Sequence, residues 1–325
     1  INTSLNEFKG QSDQNLKVFI VDLASGSLIR TIDSGLTNAF AGTLSTAAID
    51  TDRSNQSSRG FYSDDAVYIG YVQKDTTVTP NTWTKGGVLR LLTRESADPA
   101  STDTTKRWTL STLISGTGPV TTSITKSQDR RNSNLWVFFG TGRHYFKSDD
   151  ALSTSQQRLY GIKEPCYSTL TRTMQTVVPG GTVNDIDQNC SNAANSTITS
   201  TCTGSSTALC DQSGDTNTAP SATLPNTMAG WVINLDQASG NLLSERMITD
   251  PIASPAGAVF FTTFKPSHDV CQFGGETYIW APRYDTGGVP PSAAMKGKAL
   301  LQVSTGAFAE ISLASAFSGS GSQRL

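Results

Sequence analysis

Short runs of β-branched and aromatic residues recur along the chain, each bounded by Gly, Pro, Asn, Asp or Ser. They fall at 17–23, 66–72, 87–92, 135–140, 158–162, 230–235, 258–264, 277–281 and 299–303, and runs of this length and composition predict strands. Several are apolar at every position rather than at alternate ones, the pattern of inner strands covered on both faces. No stretch sustains a 3.6-residue period with caps at its ends, so no helix is predicted.

A second regularity links the strands. A small residue with Ser-Gly or Thr-Gly stands between two apolar runs at Ala24-Ser25-Gly26-Ser27 and at Ala238-Ser239-Gly240-Asn241. It stands there again at Asp285-Thr286-Gly287 and at Ser304-Thr305-Gly306-Ala307. Glycine at a fixed offset supplies the positive φ of a tight turn, and the polar residues before it can bond the turn backbone. Four turns of one design indicate a sheet unit reused around an axis. A propeller blade takes roughly 40–50 residues; the chain, less one irregular segment, holds about six. The fold expected is therefore all-β, a modified β-propeller of about six to seven blades, in preference to a β-sandwich. It would form one domain over 1–317, with 318–325 (Ser-Gly rich) as a flexible tail.

Composition agrees with this picture. Charged residues are 16% and hydrophobic residues 36% of the 325, with 28 glycines, a balance of turns and short strands. The formal net charge of -2 gives no electrostatic footprint for nucleic acid, and no apolar run has the length of a membrane-spanning helix. The first residue is Ile1 and no signal-peptide pattern follows it, so the chain is expected to be a processed product or a fragment. The irregular segment, 166–224, is polar and holds Cys166, Cys190, Cys202 and Cys210, with Cys271 further on. Clustered cysteines in a polar loop read as disulfides formed in an oxidising compartment. The segment is expected to be a stapled surface insertion; the pairing is open.

Catalytic candidates are sparse. The two histidines, His144 and His268, have no nucleophile elbow beside them, and no phosphate-cradling or dinucleotide motif occurs. The chain is therefore expected to bind rather than catalyse. The informative constellation is Asp50-Thr51-Asp52-Arg53-Ser54-Asn55, followed by Asp64 and Asp65. Alternate oxygen-bearing side chains from one loop, closed by a later acid, suit Ca²⁺. The same pattern also fits an Asp-rich turn that binds nothing. Asp185 and Asp187 repeat the alternation without a closing acid, and read as a loop.

The order of these motifs resembles the C-terminal propeller domain of PilY-type proteins, type IV pilus biogenesis and tip-associated factors. The similar segments are Val18 to Gly26, Asp65-Ala66-Val67-Tyr68-Ile69-Gly70 as a D-x-x-Y-x-G closure, Trp136 to Arg143, and Arg158 to Ile162. Later come Gly230-Trp231, Glu245 to Pro251, Val259 to Phe264, Cys271 to Glu276, and Lys296 to Leu301. The resemblance covers roughly 17–317 outside the 166–224 segment. It implies a calcium loop with Asp50, Asp52, Ser54 and Asp65 as ligands, nominating Asp65 over Asp64. The loop is longer than the family's and carries Ser54 where an acid would stand, which implies weaker affinity. It also implies a cell-surface location at the pilus tip or outer membrane, with pilin or minor pilin subunits as partners and a host or abiotic surface as ligand. The role implied is pilus assembly, calcium-regulated extension and retraction, and adhesion. Two rivals have features of their own. A quinone-dependent dehydrogenase would share the Trp and Gly hairpins, but the vicinal cysteine pair typical of many is missing. A glycan-binding lectin would use exposed aromatics such as Trp83 or Trp108.

Overall fold

A computed structural model describes residues 10–44, 66–79, 82–93, 98–103, 107–129, 132–145, 149, 155–167, 174, 197–200, 202, 208–213, 228–269, 274–290, 294, 298–302 and 308–313. In chain order the strands are β1 (Lys17–Val21), β2 (Leu28–Asp33), β3 (Ala39–Ala41), β4 (Ala66–Asp75), β5 (Thr82–Leu92), β6 (Thr109–Ser115), β7 (Thr125–Asp129), β8 (Asn134–Gly140) and β9 (Arg158–Lys163). They continue as β10 (Ile198–Thr199), β11 (Leu209–Asp211), β12 (Gly230–Asn234), β13 (Arg246–Met247), β14 (Ile252–Ala253), β15 (Val259–Pro266), β16 (Gly275–Trp280), β17 (Lys298–Gln302) and β18 (Phe308–Ser312). All nine strands expected from the apolar runs are among them.

The strands make five sheets among the described residues. β1 and β2 form a hairpin; β3-β4-β5-β6 is an antiparallel meander. The third sheet runs β7-β8-β9-β12 antiparallel and continues in parallel through β11 to β10. β13 and β14 flank one side of β15 and β16 lies along the other, and β17 pairs with β18. The two longest strands among the described residues are β4 and β5, with 10 and 11 residues.

The runs without alternation are explained by what covers each face. Ile20 and Ile32 of the first hairpin pack on Ile69, Tyr71, Leu89, Leu91 and Leu110 of the second sheet. From the opposite face of that sheet, Tyr68, Val88, Leu92 and Leu113 meet Val137, Phe139, Tyr160, Ile162 and Val232 of the third. The far face of the third sheet gives Trp136, Phe138, Leu159, Trp231 and Ile233 to Met247, Val259, Phe261 and Trp280 of the fourth. Antiparallel sheets stacked face to face in chain order are the organisation of a β-propeller. The packing is close enough to exclude a methyl group at Gly161, where one would overlap the Trp231 ring across the β9–β12 ladder.

The repeated turns also take their expected form where they are described. Asp22 is the hub of the first. Its Oδ1 accepts hydrogen bonds from the Ser25 backbone N–H and hydroxyl, and its carbonyl accepts one from Gly26, at φ +71°. Gly240 and Gly287 also have positive φ, at +58° and +71°. The fourth turn lies outside the described residues, between the paired β17 and β18.

Of the 166–224 segment, expected as a surface excursion, Thr197, Ser200 and Ser213 are exposed while another part enters the third sheet. β11 inserts beside β12, and Ala208, Leu209 and Cys210 are fully buried, serving cores on both sides of the third sheet. Cys202 and Cys210 form a disulfide across this edge, and Cys166 is also disulfide-bonded.

Candidate functional site

Asp50, Asp52, Ser54 and Asp65 lie outside the described residues, as do Asp64, Asp185 and Asp187. What the fold places is their setting. The 45–65 segment connects β3 to β4, two antiparallel neighbours in which Ala41 faces Tyr71. Just beyond β3, Gly42 donates to the Gly70 carbonyl at 2.8 Å and Thr43 to the Thr121 carbonyl at 2.9 Å. Ala66, next to Asp65, is fully buried and pairs with Leu92. The described residues flanking the segment, Gly42 and Ala66, are therefore tied to the second sheet.

The D-x-x-Y-x-G residues after Asp65 have structural duties of their own. Tyr68 is buried, and its hydroxyl donates to Glu164 Oε2 at 2.6 Å. Glu164 Oε1 accepts from the Arg90 guanidinium at 2.5 Å and from the backbone N–H of Cys166 at 2.8 Å. Arg90 Nε donates to the Ser111 hydroxyl at 3.2 Å. Gly70 lets Val120 approach closer than any side chain would allow. One buried carboxylate thus joins three places: the strand that follows Asp65, the C-terminal part of β5, and the start of the cysteine-rich segment. A buried ion pair with its remaining lone pairs satisfied is costly to break. The signal was present in the sequence as a single arginine inside the apolar run of β5, since a charge so placed needs a partner.

A second polar knot joins the third and fourth sheets. Arg143, buried, donates to Asp149 Oδ1 at 2.8 Å and to the Gly10 carbonyl at 2.8 Å. Arg246, also buried, donates to the Arg143 and Asp149 carbonyls at 3.2 and 3.1 Å. Glu245 accepts from Trp280 Nε1 at 2.8 Å and from the Thr263 hydroxyl. Above this knot the Arg143 guanidinium lies 5.8 Å from the Trp83 ring centre and 5.4 Å from that of Tyr145, both rings neighbouring Phe40. Trp83 is half-buried; Tyr145, 47% exposed, is the ring this cluster offers to solvent. Burial pushes the Tyr145 phenol up, the Arg143 charge partly opposing it.

The remaining sequence candidates are not assembled into a site. Trp108 is half-buried against the first core, and its carbonyl accepts from Arg30 at 2.6 Å. His144 is exposed and meets Phe264 edge-on at 5.8 Å; His268 is exposed and donates its backbone N–H to the Asn241 carbonyl. Among the described residues no three His, Cys, Asp or Glu side chains converge on a point where a metal could bind. No helix among them is long and apolar enough to cross a membrane.

Comparison with known proteins yields no matching family model and no matching curated relative. Among solved structures, the C-terminal domain of Pseudomonas aeruginosa PilY1 is similar at 16% identity and a TM-score of 0.49. The match covers 96% of this chain and 66% of that one, a distant likeness at the level of the fold.

Proposed function

We propose that the chain is a non-enzymatic, PilY-like surface module of the type IV pilus system, supporting pilus assembly, extension and retraction, and adhesion. On this reading its partners are pilin or minor pilin subunits and a host or abiotic surface. Calcium held by Asp50, Asp52, Ser54 and Asp65 regulates it. The reading draws on the ordered sequence motifs. The observation that carries it in the fold is the anchoring of Tyr68 and Gly70 just after Asp65, which gives the acidic segment a rigid base. The disulfides accord with an oxidising, extracellular setting.

The donor set fits a hard cation. Three carboxylates and a hydroxyl offer oxygen ligands, and backbone carbonyls or water complete a shell of six to eight. Bound calcium would supply the charge that holds the Asp50 and Asp65 ends together. The chain itself contributes the tie from β4 through Glu164 to Cys166, which links that base to the cysteine-rich segment.

Calcium titration by calorimetry, with Asp50→Ala and Asp65→Ala alongside, tests the site. Heat of binding in the wild type and its loss in both variants is the expected result; binding untouched by either substitution overturns it. Counting surface pili and retraction events in cells lacking the protein tests the pilus role, which unchanged counts would sink. The Tyr145, Trp83 and Phe40 cluster favours a second reading, glycan contact, compatible with a tip adhesin. It predicts retention on a glycan array that Tyr145→Ala abolishes. A quinone absorbance band in the purified chain would instead favour a dehydrogenase.

A further inference from the structure

Cys202 and Cys210, bonded to each other, stand in unlike surroundings. Cys210 is fully buried on β11, among the side chains between the third and fourth sheets, whereas Cys202 is only half-buried beside that core. Cys202 also holds its φ at +50°, in the left-handed region that a residue with a Cβ seldom occupies. A polar side chain meets both sulfurs. Gln212 Nε2 donates to Cys210 Sγ at 2.7 Å and to Cys202 Sγ at 3.4 Å. The Gln212 backbone N–H is bonded to the Val232 carbonyl at 2.8 Å, so β12 fixes the place from which this amide reaches the bond. Cys166, by contrast, is fully buried, with its N–H on Glu164.

We propose that the Cys202–Cys210 disulfide is exchangeable, opened by a dithiol reductant that attacks Cys202 Sγ with Cys210 Sγ as the leaving group. In the first step a reductant thiolate bonds to Cys202 Sγ, the Cys202–Cys210 bond breaks, and its electron pair leaves on Cys210 Sγ. The reductant's second thiolate then displaces Cys202 and closes the reductant into a cyclic disulfide. The two protons given up by the reductant's thiols are matched by the two taken up at the cysteines. The disulfide is reduced by two electrons and the dithiol is oxidised by two. Exchange needs access to the attacked sulfur and a leaving sulfur that can carry charge. Half-buried Cys202 meets the first need. The Gln212 N–H meets the second, offsetting the burial that raises the Cys210 thiol. Opening also releases Cys202 from its disfavoured backbone conformation. What it loosens is local: among the described residues β10 pairs with β11 only at Ile198 and Thr199, so this edge frays while β7, β8, β9 and β12 stay paired.

The native chain treated with graded dithiothreitol, quenched in acid, unfolded, alkylated and read by peptide mass spectrometry tests this. Cys202 and Cys210 are expected to become alkylated together at reductant concentrations that leave Cys166 protected. With glutathione, a monothiol, the trapped mixed disulfide is expected on Cys202. Gln212→Leu should slow the opening roughly two- to tenfold, the loss of one hydrogen bond to the leaving sulfur, with circular dichroism unchanged. The trapping experiment uses the wild-type chain and so stands even if that variant folds poorly. Reduction of Cys166 at the same or lower reductant concentration overturns the proposal. Glutathione trapped on Cys210, or an opening rate that a folded Gln212→Leu leaves untouched, overturns it too.

Discussion

Glu164 shows how much one side chain can organise. Its two oxygens take the Tyr68 hydroxyl, the Arg90 guanidinium and the Cys166 N–H, all in the space between the second and third sheets. A hydrogen bond to a charged group contributes about 1.5–3 kcal/mol, so Tyr68→Phe should cost that much in urea unfolding. Glu164→Ala should cost more, about 3–5 kcal/mol, because it leaves the Arg90 charge buried without its counter-ion. If Glu164→Ala proved no worse than Tyr68→Phe, the pair would not be holding the two sheets together. Of this group, the sequence motifs include Tyr68, in the D-x-x-Y-x-G closure, and Cys166, among the clustered cysteines, but neither Arg90 nor Glu164. Glu164 follows a strand and looks like any loop acid, and its burial depends on a sheet that is 74 positions away at Arg90.

At the scale of the element, the apolar pattern missed several short or polar strands, and also β6, where Ser and Thr interrupt the buried Leu110, Leu113 and Ile114. β7 has no apolar side chain; it is a strand because its backbone pairs with β8 over Thr125–Asp129. β10 and β11, of two and three residues, are held by parallel pairing to the edge of β12 and by the Cys202–Cys210 disulfide. Closing a loop of this size restricts the unfolded segment by about 2–3 kcal/mol on a chain-entropy account. Cys202→Ser should therefore speed hydrogen exchange at Ile198 and Leu209 while leaving β8 and β9 protected. Equal loss of protection across the third sheet would mean that the disulfide supports the whole sheet rather than its edge.

For the molecule as a whole, the buried titratable groups predict an alkaline profile with two opposing limbs. Burial pulls the Lys126 ammonium down from 10.5 to about 8. Between those values the unfolded chain binds more protons than the folded one, so this group adds stability as pH rises from about 8 to 10.5. Burial pushes the Tyr71 and Tyr160 phenols up from 10 to about 12. There the folded state keeps protons that the unfolded state has lost, and stability falls as pH rises above about 10. Thermal midpoints followed by circular dichroism should rise to near pH 10 and then drop. Lys126→Met should raise the midpoint at pH 7 and shrink the rising limb, leaving the part due to Lys163, whose ammonium burial also pulls down; a rise of undiminished size in this variant would assign it to another group.

The sequence by itself determined that the chain is built from strands, where nine of them lie, and that inner strands are covered on both faces, because β-branched and aromatic runs between turn residues have few other ways to bury themselves. It also determined the turn at Gly26, where the backbone conformation and the Asp22 hydrogen bonds are local. Tertiary structure alone decided which faces meet, that Tyr68 binds Glu164, that Tyr145 rests over Arg143, and that part of the cysteine-rich segment becomes the edge of a sheet. Each of these depends on residues far apart in the chain, and a linear pattern records what a side chain can bury or bond without recording which partner it finds.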